Sequence, residues 1–156
     1  MYLHYNDYQL RISLDLLDIL IAQAGATDDT NTILISADKI AMDTIKTKAG
    51  VLYDLTAELQ KTNDDRNGYL ISLALSIALY EVYMRSDDEE IPPKVIKNYE
   101  DALDALDKIA NGKDVLDLPP KISANGSGTP GDGETVGTMG NGLRRLGSQK
   151  KRTHQM

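Results

Sequence analysis

Residues 69–84 read YLISLALSIALYEVYM. Only Ser72, Ser76 and Glu81 are clearly polar in this run. A surface helix shows one apolar stripe against a charged face, whereas a helix that is apolar all round is buried. The run therefore predicts a central helix enclosed by other elements, with Leu73, Ile77, Tyr80 and Tyr83 in the core. A pair of buried strands is the competing reading, because periodicity alone does not separate the two. The run is shorter than the roughly 20 residues that cross a bilayer, and charged residues flank it closely, so no membrane partner is expected. Tyr69, Tyr80 and Tyr83 can bury their rings while their hydroxyls reach a polar rim. Ser72 and Ser76 stand four apart on one narrow face, where small side chains let a neighbouring helix approach.

Working outward toward the N-terminus, TNDDRNG at 62–68 is a loop, and Asp64 or Asp65 is the expected cap of the central helix. Ile40, Ile45 and Ala49, continued by Leu52, Leu55 and Leu59, suggest the buried face of a preceding helix. Ser36 is its expected N-cap, with Asp38 in the first turn beside the positive end of the dipole. Gly50 costs about 1 kcal/mol inside a helix relative to Ala, so a bend or break is expected there. Before the polar cluster ATDDTNT at 26–32, Leu10, Leu14, Leu17 and Ile21 recur at helical spacing, with Ile12, Leu16, Ile19 and Leu20 widening the face. One or two helical pieces are expected across 7–24, broken near Ser13 and closed by Gly25. In MYLHYNDY at 1–8, Asn6-Asp7 can cap a short helix.

Toward the C-terminus, SDDEEIPP at 86–93 is acidic and ends in two prolines, either of which suits a first helical turn. Val95, Tyr99, Ala102, Leu106 and Ile109 then form an apolar stripe, flanked by Ile96, Leu103 and Ala110. Gly112 sits where a left-handed cap belongs, just after Lys108. Past Pro119-Pro120 the composition changes. Seven Gly lie among Ser, Thr, Asn and Asp in residues 122–142, too little apolar surface to fold alone.

The chain has 156 residues and no Cys, Phe or Trp, so disulfides and thiolate chemistry are excluded and Tyr and aliphatic side chains must build the core. No basic region followed by an apolar run opens the chain, so no signal peptide is expected. Charge is uneven: residues 1–121 hold 12 Lys and Arg against 22 Asp and Glu, a net of −10, while residues 122–156 hold five against two, a net of +3. An acidic body is poorly suited to gripping duplex DNA, which requires phosphate neutralisation by Lys and Arg.

Catalytic chemistry is sparse. His4 and His154 lack helix-spaced partners of a zinc site, and solvated or interface roles are expected for both. Asp28-Asp29, Asp64-Asp65 and Asp87-Asp88-Glu89-Glu90 read as solvated loops and caps. A hard-cation site is the sharper alternative, but the Asp and Gly spacing of a calcium loop is missing. The glycines of 126–142 neither follow a strand nor open a helix, so a phosphate loop is not expected. Tyr2, Tyr5 and Tyr8 can stack on bases, although no basic groove accompanies them. No enzyme activity, cofactor or metal is expected.

The second half resembles a known family. DRNGYLISLALSIALYEVYMR followed by IPPKVIKNYEDALDALDKIANGKDVLDLP looks like the head–tail adaptor proteins of Mu-like tailed bacteriophages, also called head-completion or connector proteins. The matching positions are Ile77, Ala78, Tyr80, Tyr83 and Arg85, then Pro92, Pro93, Val95, Tyr99, Asp101, Ala102, Leu103, Leu106, Ile109, Ala110, Gly112, Lys113, Leu116, Leu118 and Pro119. Residues 65–120 carry most of the likeness. Asn6-Asp7-Tyr8 and Ala49 to Leu55 match loosely, and Leu55 is followed by TAELQK where the family has Arg-Tyr. The resemblance implies a helical subunit of a homo-oligomeric ring, often twelve-fold (a dodecamer), beneath the portal protein. Such a ring extends the DNA channel and docks the next neck or tail ring protein. It implies a place in the virion neck, at the head–tail interface, and in the host cytoplasm during assembly.

The expectation is thus an all-α chain: a small helical bundle of four to five helices, residues 1–121, and an extended irregular arm, residues 122–156. Leu143, Arg144, Arg145, Leu146, Lys150, Lys151 and Arg152 are the expected docking residues, two aliphatic anchors with cations to meet an acidic rim. Double-stranded DNA is expected to pass through the channel without sequence-specific binding. The competing reading is a small helical regulatory or binding module whose basic tail contacts nucleic acid or a partner protein.

Overall fold

The computed structural model describes residues 1–62, 65–85 and 90–121. The described chain is all-α: α1 (Leu14–Ile21), α2 (Thr32–Ala49), α3 (Gly68–Met84) and α4 (Pro93–Ala110), with short 3-10 turns at Tyr5–Leu10, Ala22–Ala24 and Glu58–Gln60. The expected arm, residues 122–156, lies outside the described residues.

The apolar run is α3, and it is the centre of the bundle. Leu70, Leu73, Ala74, Leu75, Ile77, Ala78, Leu79, Val82 and Tyr83 are all buried, together with Ser76. These positions go round the whole helix, which is why the run carries no charged face. Its start differs from expectation. The cap is Asn67, whose Oδ1 accepts from the Tyr69 amide at 3.0 Å and the Leu70 amide at 3.1 Å. Asp65 stands two residues too early to reach those amides, and Asp64 lies outside the described residues. Tyr69 is also a correction: in the first turn, at the end of the helix pair, it is exposed.

α4 runs antiparallel to α3. Tyr69 at the start of α3 lies near Lys108 in the last turn of α4, and Tyr80 near the end of α3 stacks on Tyr99 in the first half of α4; between them Tyr69, Ser72, Leu73 and Ser76 line a groove with Asn98, Asp101, Ala102 and Ala105. The two serines line this groove: the Ser72 hydroxyl accepts from Arg11 at 2.6 Å, and Ser76 satisfies its buried hydroxyl by donating to the Ser72 carbonyl at 3.0 Å. Val95, Ala102, Leu106 and Ile109 are buried as expected, with Pro93 in the first turn. Tyr80 and Tyr99 are half-buried rather than core. Their rings stack at 4.1 Å between centroids and 11° between planes, an arrangement in which each ring covers one face of the other.

α2 packs against α3 and also touches α4. Its cap is Asn31, not Ser36. Asn31 is fully buried; its Oδ1 accepts from the amides of Ile33 at 2.9 Å and Leu34 at 3.3 Å, and its Nδ2 donates to the carbonyls of Ala26 at 2.5 Å and Ile21 at 3.3 Å. One side chain thus caps α2 and closes the turn behind α1. Ser36 sits a full turn inside, its hydroxyl bonded back to the Thr32 carbonyl at 2.8 Å. Asp38 is therefore well past the first turn and buried. Ile45, Ala49 and Leu55 are buried, whereas Ile40 faces solvent. The helix stops at Gly50. Ser13 caps α1 through the Leu16 amide at 3.4 Å, and Gly25 and Gly112 take the left-handed conformation, φ 77° and 67°, that ends α1 with its following turn and α4. Among the described residues no helix is long and apolar enough to cross a membrane.

Candidate functional site

The residues expected to dock a partner, Leu143, Arg144, Arg145, Leu146, Lys150, Lys151 and Arg152, lie outside the described residues, as does His154. What the structure gives is the place from which they are reached. After α4 the chain turns at Gly112, buries Leu116 and returns along the end of α2. There the Asp54 amide donates to the Pro119 carbonyl at 3.0 Å and the Lys121 amide to the Leu52 carbonyl at 2.8 Å. These two bonds flank the Tyr53–Pro120 bridge, which makes Tyr53 and Pro120 a non-hydrogen-bonded pair of an antiparallel ribbon. At such a position the missing N–H of proline costs nothing. The Tyr53 hydroxyl accepts from the Leu116 amide at 3.1 Å, and Lys121 Nζ donates to the Gly50 carbonyl at 3.2 Å. Beside this exit, a cavity of about 470 Å³ opens between Lys46, Gly50, Tyr53, Leu55, Leu59 and Lys121.

A second polar centre ties the N-terminus to the bundle, and sequence reasoning missed it. Asp38 accepts from the Tyr2 amide at 3.1 Å and the Leu3 amide at 2.8 Å. Glu58 accepts from the Tyr2 hydroxyl at 3.1 Å and the Asn67 amide at 2.5 Å, with Lys61 Nζ 2.7 Å from its other oxygen. Arg66 donates to the Tyr2 carbonyl at 2.6 Å and to both Asp7 oxygens at 2.6 and 3.0 Å, with its guanidinium 5.8 Å from the centroid of the Tyr2 ring. Burial opposes the charge on Asp7, but Arg66 and the His4 amide outweigh it and hold the carboxyl below its usual range. Glu58 is lowered in the same way: burial opposes its charge, and Lys61, the Asn67 amide and Tyr2 prevail. Burial, then the Glu58 charge, pushes the Tyr2 hydroxyl up. Tyr5 is pushed up to about 12, chiefly by its hydrogen bond to Asp18.

This centre corrects the reading of Tyr2 and Tyr8 as base-stacking residues. Both are buried, Tyr8 completely, so neither presents a face to a base. The only sign in the sequence was the run of three Tyr and one Leu at 2–8, which fits a strap laid on a core as well as an exposed platform. His4 belongs to the same network, its Nδ1 2.8 Å from Asp29. Asp29 also accepts from the Tyr5 amide at 2.5 Å, and Asp28 closes a local turn on the Thr30 amide at 2.8 Å. Among the described residues no three His, Asp or Glu side chains converge as a metal site would require. The arrangement ties the N-terminal backbone to α2, to the Glu58–Gln60 turn and to the start of α3.

No curated protein and no solved structure matches the chain. A family model described as bacteriophage Mu, Gp36 matches residues 2–131, from the N-terminal strap through all four helices and past the exit ribbon. That span is most of the chain, and it points to a structural or assembly role in the virion or the phage-infected cell. The chain belongs to the bacteriophage Mu Gp36 family and is a phage protein.

Proposed function

We propose that this chain is a head–tail adaptor: a non-enzymatic connector subunit that forms a homo-oligomeric ring, dodecameric by resemblance, under the portal protein in the virion neck. The observation that carries the reading is family membership across residues 2–131. It is supported by a small helical body and by a basic segment that begins at a fixed point on that body. In this reading residues 122–156 are the docking arm, with Leu143 and Leu146 as anchors and Arg144, Arg145, Lys150, Lys151 and Arg152 meeting acidic groups. An arm ordered on binding attaches weakly as one copy, and a ring of copies multiplies its hold through effective concentration. The acidic body, −10 over residues 1–121, flanks a channel through which duplex DNA slides, since like charge disfavours phosphate contact. Other ring proteins of the neck or tail stack on the free face.

The test is the mass of the full chain mixed with the portal protein of the same phage. A closed ring bound to the portal is expected, and truncation after Lys121 should abolish attachment while leaving helix content unchanged. A chain that stays monomeric and never joins the portal refutes the adaptor reading. Salt-sensitive, sub-micromolar duplex binding by the body would refute the passive channel.

A further inference from the structure

We propose that Tyr53 and residues 116–121 form a clamp that fixes the root of the C-terminal segment, with Tyr53 its positioning residue. The clamp has four parts, three of which join residues 116–121 directly to residues 50–54. Leu116 is a buried plug, 3% exposed, between its exposed neighbours Val115 and Asp117. The Tyr53 hydroxyl holds the plug's own amide. The ribbon bonds Asp54 to Pro119 and Lys121 to Leu52. Lys121 Nζ closes on the Gly50 carbonyl, at the negative end of the α2 dipole, where a cation is favoured.

The two prolines fit this role. Each locks φ near −65°, so Pro119-Pro120 is a stiff segment whose course follows from the residues that hold it. Both prolines lack an N–H, and the ribbon asks for none from either: it uses the Pro119 carbonyl and the Lys121 amide. A short antiparallel pair alone is marginal, and it is the Leu116 plug and Tyr53 that hold this one. A pull along the segment then loads the ribbon and the plug before it reaches the last turn of α4. The use of such a root as the base of a docking arm rests on the adaptor reading; the clamp itself does not.

The experiment is hydrogen exchange on the full chain, read at individual amides. The Leu116 and Lys121 amides should exchange at least ~10-fold more slowly than in a free peptide of the same sequence. Tyr53→Phe keeps the ring and removes the accepting hydroxyl, and should speed both amides several-fold without changing exchange in α3. Lys121→Met, which removes only an exposed contact, should speed the Lys121 amide alone. Tryptic cleavage after Lys121 should be faster in Tyr53→Phe than in the parent chain. Free-peptide exchange at Lys121 in the parent chain, or unchanged exchange at Leu116 and Lys121 in Tyr53→Phe, overturns the clamp. Portal attachment is a separate readout: a clamp that holds in a chain that ignores the portal refutes the adaptor reading alone.

Discussion

Replacing Arg66 by Met is the sharpest test of how the N-terminal strap is held. The Arg66 side chain is 6% exposed and that of Asp7 15%, and the guanidinium spans Asp7 and the Tyr2 carbonyl. Methionine fills much of the same volume but leaves the Asp7 carboxylate buried with only the His4 amide at 2.7 Å among these contacts. Breaking one partner of a buried ion pair costs about 3–5 kcal/mol. At a few degrees per kcal/mol for a body of this size, the melting temperature should fall by roughly 10–20 °C. Asp7→Asn in the same background should recover part of the loss, because the two sites share one interaction. The assay is helical ellipticity against temperature at pH 7, for the parent, both single variants and the double. An Arg66→Met melt within ~2 °C of the parent would refute the reasoning, since an exposed pair contributes under ~1 kcal/mol. The pH dependence has a defined sign. Asp7, Asp29 and Glu58 all titrate below their usual range in the folded chain. Their contribution is complete above the unfolded carboxylate range, about pH 4, and is lost as pH falls through the lower folded values. Stability should be nearly level from pH 7 to 5 and fall below about pH 4, less steeply in Asp7→Asn.

Three further outcomes can be measured in the same assay. Tyr8→Phe should leave stability unchanged or raise it by about 1 kcal/mol, because the hydroxyl is buried with no partner among the described residues; a clear loss would reveal a bound partner. Asn31→Ala should cost about 2 kcal/mol, at the upper end for a cap, while Ser36→Ala stays within about 0.5 kcal/mol; the reverse order would restore Ser36 as the cap. Leu106→Ala should cost about 2–5 kcal/mol from a fully buried site, and Tyr99→Ala less, its ring being only half-buried; equal losses would place Tyr99 in the core after all.

The sequence alone determined what depends on neighbours along the chain. The apolar circumference of 69–84 favoured a central helix over a buried strand pair, the stripe from Val95 to Ile109 indicated a one-sided one, and Gly25, Gly112 and Pro93 marked ends through their own backbone preferences. It also pointed, by pattern, to a phage family. What only the tertiary structure decided depends on groups far apart in sequence. Asn31 became the cap because its amide could also close on Ile21 and Ala26, a second use that Ser36 lacked. In the sequence Asp7 read as part of a cap and Asp38 as a first-turn acid, and Glu58 and Arg66 carried no signal of their own. Folding brings Tyr2 within reach of Asp38, Glu58 and Arg66, at separations of 36 to 64 residues, and no local pattern encodes which buried charges will meet. The same holds for Tyr53 and Pro120: each looks like a loop residue until the ribbon pairs them, at a position where a proline forfeits no hydrogen bond.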